Sequence, residues 1–380
     1  MALPWADDDP EYELFLINFV IGTAAVYMAL GGVLVFQAAS ALGGTGSSAF
    51  RLRRPWLLAP LLPAAVWLGQ WLVNHPERLP WLFPLANLAV VSVPSIVIAG
   101  VVAVRYARSN PLSWPVSWRE WSSGFIYGAV GATTMGALIN TLYLVFMGAF
   151  LIDRFGQGDA FDISDNLQTL PRGWGLFFDL TVLSVVAPLN EEFWKGALVA
   201  LFFYRRGGAA RCFLWGTLAG AGFNLLETFD NSIALVSPEQ LADQTMGNQW
   251  WLFAIARTGT GAIHALASGL SALGFYALLR RDARYLVGYP LGVLVHGSWN
   301  FLTYALGGDR FFSMAGPDSA ALDILSIAGM VALFAACATL LWALPGRLRD
   351  ERPAPIYAAL GMLPALPGAR PGGEAPGPAG

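Results

Sequence analysis

Two adjacent glutamates and a lysine, Glu191, Glu192 and Lys195, sit inside a long apolar stretch from Trp174 to Tyr204. Lys195 is the only lysine in the chain. A charge at bilayer depth costs several kcal/mol, so such groups are rare and face a partner or a water-filled cavity. The next apolar stretches add Glu227, Asp230 and Asn224, then Arg257 and His264, then His296 and Asn300. Two of the chain's three histidines are in this set; the third, His75, falls in the short turn Asn74-His75-Pro76-Glu77 and reads as a solvated residue.

Each group has a chemical use. A carboxylate can act as general base to a water. Neutral imidazoles bind a metal or orient that water. Two histidines and a carboxylate are a ligand set of hydrolytic zinc, which points to His264, His296 and Glu227 as metal ligands. Asn300 follows His296 by one helical turn, so its amide can donate to an oxyanion beside the imidazole. Lys195 follows Glu191 at i+4 and Glu192 at i+3, so it can hold one carboxylate ionised and leave the other for chemistry. Which glutamate is the base stays open. Asp230 and Asn224 share a face with Glu227 and read as its support, and Arg257 as the balance of a carboxylate or of an acidic connection. Ser268 and Thr260 lack a base and read as helix-packing residues.

These groups need elements that hold them at one depth. The chain is 56% hydrophobic and 12% charged, against about 25% charged in a soluble domain, which makes it a polytopic all-α membrane protein. A net charge of -3 gives no basic surface for nucleic acid. Cys212 and Cys337 are too few and too far apart for a zinc or redox motif. The acidic start, with Asp7, Asp8 and Asp9, does not resemble the basic head of a cleavable signal peptide.

A spanning helix needs about 20 mostly apolar residues. Nine candidate spans result, at about 14–41, 56–74, 80–104, 123–152, 174–204, 212–236, 249–279, 285–305 and 320–345. Alternate connections hold fifteen arginines, and the others hold only Arg78, Arg154, Arg172 and Arg310. This asymmetry predicts the N-terminus outside and the C-terminus in the cytoplasm. Within that topology Glu191 stands 14 residues from Arg205, Glu227 16 from Arg211, His264 16 from Arg280 and His296 12 from Arg284. At 1.5 Å per residue these are heights of about 21, 24, 24 and 18 Å, one layer across four consecutive spans.

The rest of the chain is read around that layer. Residues 1–173 form a block of four spans, 174–305 a four-helix catalytic core, and 306–350 a final span. Residues 351–380 are a Pro- and Gly-rich tail that cannot bury a core. Trp114, Trp118 and Trp121 predict an interfacial helix face. The connection 153–173, with Asp153, Asp159, Asp162 and Asp165, reads as a solvated loop. Gly216-x-x-x-Gly220 and Gly261-x-x-x-Ala265-x-x-x-Gly269 predict helices packed backbone to backbone beside the site.

Four motifs in order, Glu191-Glu192-x-x-Lys195, Gly220-x-Gly222-Phe223-x-x-x-Glu227, Arg257 with His264, and His296-x-x-x-Asn300, resemble those of the PrsW family of intramembrane proteases. That family is similar in active-site layout to the CAAX prenyl endopeptidases and bacteriocin-processing proteins. The lysine spacing and Glu227, where those relatives carry a histidine, favour PrsW. The resemblance covers about residues 174–305. It implies hydrolysis of a peptide bond of a membrane-anchored protein, such as an anti-sigma-type regulator, in a multi-pass protein of a bacterial-type inner membrane. It implies either a metal, with Zn2+ the candidate, or a glutamate-activated water without one. Carried onto this chain, Glu191 or Glu192 activates the water, His264 and His296 bind a metal or stabilise the transition state, and Asn300 holds the oxyanion. Two other readings of the same groups are a proton relay in a coupled transporter and a CAAX-type processing protease.

Overall fold

The computed structural model describes residues 10–50, 52, 54–110, 115–158, 163–203, 207–237, 250–305, 320–348 and 350. Trp114, Asp159, Asp162 and the tail 351–380 lie outside them. The described residues are all-helical, apart from one isolated bridge between Ala49 and Ser117.

Among the described residues nine long helices run in chain order. They are α1 (Pro10–Leu42), α2 (Pro55–Val73), α3 (Pro80–Ser109), α4 (Trp118–Phe155), α5 (172–203), α6 (Ala209–Leu235), α7 (Trp250–Arg280), α8 (288–305) and α9 (Ala320–Arg347). Seven of these are long and apolar enough to cross a membrane, the exceptions being α6 and α8. The reason is physical. At 27 residues α6 is about 40 Å long, ample to span. It carries Arg211, Glu227 and Asp230 and is buried along nearly its whole length, so it needs no apolar face for lipid. A helix that turns toward protein on all sides loses the hydropathy signal by which spans are found.

α6 is therefore the axis of the bundle. α7, α3, α4 and α5 pack around it, and α8 and α9 pack on α7. The main core is continuous from Val91 and Ala103 of α3 through Phe213 and Leu218 of α6 to Leu266 of α7 and Cys337 of α9. It thus crosses the positions 173 and 306 at which the sequence suggests boundaries. The predicted small-residue packing is present: a Cβ on Gly216 would stand 2.3 Å from the Ser268 carbonyl oxygen, and one on Gly220 2.2 Å from that of His264. With no side chain at either place, α6 and α7 meet backbone to backbone exactly where His264 enters.

Four helices each carry one π-turn: Asn18–Gly22 in α1, Tyr127–Ala132 in α4, Val182–Val186 in α5 and Phe301–Ala305 in α8. Such turns free backbone carbonyls and shift helical phase, and they recur at functional sites. The one in α5 ends one turn before Glu191. Outside the bundle centre, His75 is half-buried, with Nδ1 2.9 Å from the Trp71 carbonyl and its ring stacked on Trp71, rather than simply solvated. Trp118 and Trp121 pack on Phe50 at the start of α4.

Candidate active site

α5, α6, α7 and α8 bring Glu191, Glu192, Glu227, His264 and His296 together, with Lys195 among them. The ammonium of Lys195 is fully buried and donates to Glu192 Oε1 at 2.7 Å, to Glu191 Oε2 at 3.4 Å and to His264 Nδ1 at 3.1 Å. It also stands 3.8 Å above the ring of Phe223 on α6. Burying an ammonium is costly unless its hydrogens are all used, and these four partners use them.

The two glutamates, one residue apart, have unlike surroundings. Glu192 has no free oxygen. Oε1 accepts from Lys195 and from His296 Nδ1 at 3.0 Å, and Oε2 accepts from Ser268 at 2.9 Å. Glu191 Oε1 accepts from Asn140 of α4 at 3.0 Å. Its Oε2 has only the long contact to Lys195 and faces His296 Nε2 at 3.8 Å.

The imidazole protons follow from their partners. An ammonium can only donate, so His264 Nδ1 accepts and Nε2–H donates to Glu227 Oε2 at 2.9 Å. A carboxylate can only accept, so His296 Nδ1–H donates to Glu192; in the neutral ring this leaves the Nε2 lone pair toward Glu191. The two rings lie 4.5 Å apart between centroids, nearly edge to face.

Glu227 Oε2 also accepts from Arg257 Nη2 at 2.5 Å. Arg257 Nε donates to Thr228, Thr228 to Asn224 Oδ1, and Asn224 Nδ2 to Ser95 of α3. Asn224 thus belongs to the chain of bonds that holds Arg257 on Glu227. Asp230 stands on the next turn of α6 with its side chain exposed. Asn300 donates from Nδ2 to the Leu183 carbonyl at 2.9 Å, a carbonyl of the π-turn in α5. That bond ties α8 to α5 and uses one of the amide hydrogens expected at an oxyanion.

One donor atom from each of Glu191, His264 and His296 falls within 4.8 Å of the other two, a group able to hold a metal ion. Glu227, expected as the carboxylate of that set, instead holds His264 from behind and pairs with Arg257. The donor chemistry fits a divalent ion: two imidazoles and a carboxylate, with a second carboxylate behind each imidazole, Glu227 for His264 and Glu192 for His296. Three carboxylates also face only two fixed cations, Lys195 and Arg257. The Lys195 ammonium occupies the space beside His264 Nδ1, and it and an ion held there exclude one another.

Three contributors escaped sequence reading. Ser268, read as a packing residue, donates to Glu192; its i+4 spacing from His264 was the available signal. Asn190 donates to Asn140 Oδ1 and to the Gly136 carbonyl, and accepts from Trp194 Nε1, so it fixes the amide that holds Glu191. Asn140 itself lies in α4, outside the motif-bearing stretch, and nothing in the spacing pointed to it.

The family model of the PrsW intramembrane metalloproteases matches residues 117–337, more than half of the chain. The chain belongs to the PrsW family. No curated protein and no solved structure matches it significantly. PrsW membership makes this a multi-pass membrane hydrolase that acts on membrane-embedded protein in a lipid environment. It also implies a metal cofactor, for which the Glu191, His264 and His296 group is a candidate seat. The match begins at the foot of α4 and takes in Asn140; α1, α2 and α3 lie before it.

Proposed function

We propose that this PrsW protein cleaves a peptide bond of a membrane-anchored protein, of which an anti-sigma-type regulator is one kind, at the face shared by Glu191, His264 and His296. The observation that carries the reading is the contrast between the two glutamates. Glu192 is spent on Lys195, His296 and Ser268, whereas Glu191 keeps one oxygen facing the lone pair of His296.

Glu191 is the base. Asn140 holds its Oε1, so Oε2 points into the site and takes a proton from a water. The hydroxide oxygen bonds to the scissile carbonyl carbon, and the carbonyl π-pair moves to oxygen. Collapse breaks the C–N bond, and the proton on Glu191 passes to the leaving amine. His264, donating to Glu227, and His296, donating to Glu192, are held in fixed tautomers at this centre. Glu192 and Glu227 position the imidazoles, and Lys195 and Arg257 keep those carboxylates charged. Asn300 sets the register of α8 on α5 through Leu183. A metal, with Zn2+ the candidate, would be held by Glu191, His264 and His296 with the Lys195 ammonium off His264 Nδ1, and would supply an acidified water and a polarised carbonyl in place of the Glu191 base. Read by the arginine asymmetry, the motif-rich layer lies toward the outer half of the membrane.

The test is cleavage of a panel of single-span proteins by the full chain in proteoliposomes, with metal content measured on the same preparations. Loss of cleavage in Glu191→Gln with unchanged thermal stability supports the assignment. Cleavage that survives Glu191→Gln sinks it.

A further inference from the structure

Beyond the catalytic layer, at the end of the bundle opposite the arginine-rich connections, lies a cavity of about 790 Å³. Its lining includes Phe15 of α1, Asp230 of α6, Arg257 of α7, and Trp299, Asn300 and Thr303 of α8. It opens at the rim of the site: Arg257 is bonded to Glu227, Asp230 stands one turn beyond Glu227, and Asn300 one turn beyond His296. Its volume is that of a ligand site rather than a packing defect.

The charges in it do not balance. Arg257 is committed through Nε to Thr228 and through Nη2 to Glu227. Asp230 is exposed to the cavity, and among the described residues no cation pairs with it. Its nearest charged neighbour on α6 is Glu227, one turn away and of the same sign. A carboxylate in a membrane helix is kept where it meets a cation or a watery path. The aromatic side chains of Phe15, Phe253 and Trp299 in the same lining suit the aliphatic stem of a long cationic side chain. One wall, Phe15, comes from a helix outside the family match at 117–337, so the pocket joins the shared catalytic core to a part of the chain that precedes it.

We propose that this cavity is a substrate subsite that takes the peptide segment flanking the substrate's membrane span, and that Asp230 selects a lysine or arginine in that segment. This rests on the protease reading above, and the experiment separates the two. The full chain is reconstituted in phosphatidylcholine vesicles with synthetic single-span peptides that carry a photocrosslinker. Their flanks differ only in holding lysine, glutamine or glutamate. Crosslinking reads binding, and fragment release reads cleavage.

Wild type captures the lysine flank about tenfold better than the glutamate flank, the size of one interfacial ion pair. Asp230→Asn abolishes the preference, and Asp230→Lys inverts it toward glutamate. Equal capture of all flanks by wild type, no capture of any flank, or a preference unchanged in both variants overturns the subsite. Loss of the preference on adding phosphatidylethanolamine, in wild type only, also overturns it, since Asp230 then serves a lipid amine. Flank-selective capture without fragment release leaves the subsite standing and counts against the protease reading instead.

Discussion

Among the described residues two ionic clusters are buried, and they are built on opposite plans. At the arginine-rich end, Arg211 at the start of α6 holds both oxygens of Glu120 in α4 at 2.7 Å, and Trp215 Nε1 adds a third bond to Oε1. Beside them Asp350 accepts from the backbone amides of Gly208 and Arg211 and from the Tyr106 hydroxyl, so it caps α6 from the far end of the chain. Each carboxylate there is closed by short bonds, Glu120 by a bidentate arginine and an indole and Asp350 by two capping amides and a phenol, which is the geometry of structure. The other cluster has three carboxylates for two cations, one Glu191 oxygen without a short bond, an imidazole lone pair aimed at it, and a cavity at its rim. Burial alone therefore does not mark a site. A carboxylate oxygen left without a short bond among closed neighbours, as in Glu191, does.

Substitutions can break or sharpen that contrast. The largest effect is expected from Glu191→Gln, which removes the proposed base and lowers cleavage by about 10²- to 10⁴-fold. Its melting temperature stays near that of wild type, because Lys195 keeps Glu192. Glu192→Gln leaves Lys195 short of its closest counter-charge and costs about 3–5 kcal/mol of stability, seen as a large fall in melting temperature. Equal destabilisation by the two variants would erase the distinction between the glutamates.

Glu120→Gln breaks the closed cluster and also costs about 3–5 kcal/mol. The rate per folded molecule stays unchanged, so activity normalised to the folded fraction is the quantity to compare. A drop in that normalised rate would show that the arginine-rich end reaches the chemistry. Asn140→Leu strips one hydrogen bond from Glu191, worth about 1–3 kcal/mol, and lowers kcat about tenfold or more with KM little changed. Asp350→Ala removes a cap and is the mildest, about 1 kcal/mol in chemical denaturation, with no change in cleavage.

The part of the site that was legible in the sequence is the part written as helical spacing. Charges are so rare in apolar stretches that Glu191, Glu192, Lys195, Glu227, His264 and His296 stand out singly, and 1.5 Å per residue places them in one layer. Gly216 and Gly220 announced a close helix contact because a small residue each turn has little other use in a span. Seven of the nine expected spans are apolar enough to be recognised by composition; α6 is less so because its neighbours are protein, and α8 because it is short and carries glycines, His296 and Asn300. What was not legible depends on which face of one helix meets which face of another. Ser268 and Thr260 look alike in sequence, yet Ser268 points at Glu192 and Thr260 bonds the carbonyl of Ala256 in its own helix.

Family, all-helical class, membrane residence and the identity of the charged groups were thus determined by the sequence alone, because they depend on residue type and on spacing along one helix. The tertiary structure decided the division of labour. It turned Glu192 onto Lys195, His296 and Ser268, brought Asn140 from α4 to Glu191, moved Glu227 behind His264 with Arg257, and joined Phe15 of α1 to the cavity beside Asp230. Apart from Glu192 with Lys195, three positions apart on one helix, these join residues 30 to more than 200 positions apart, fixed by helix rotation and register, which no local spacing encodes.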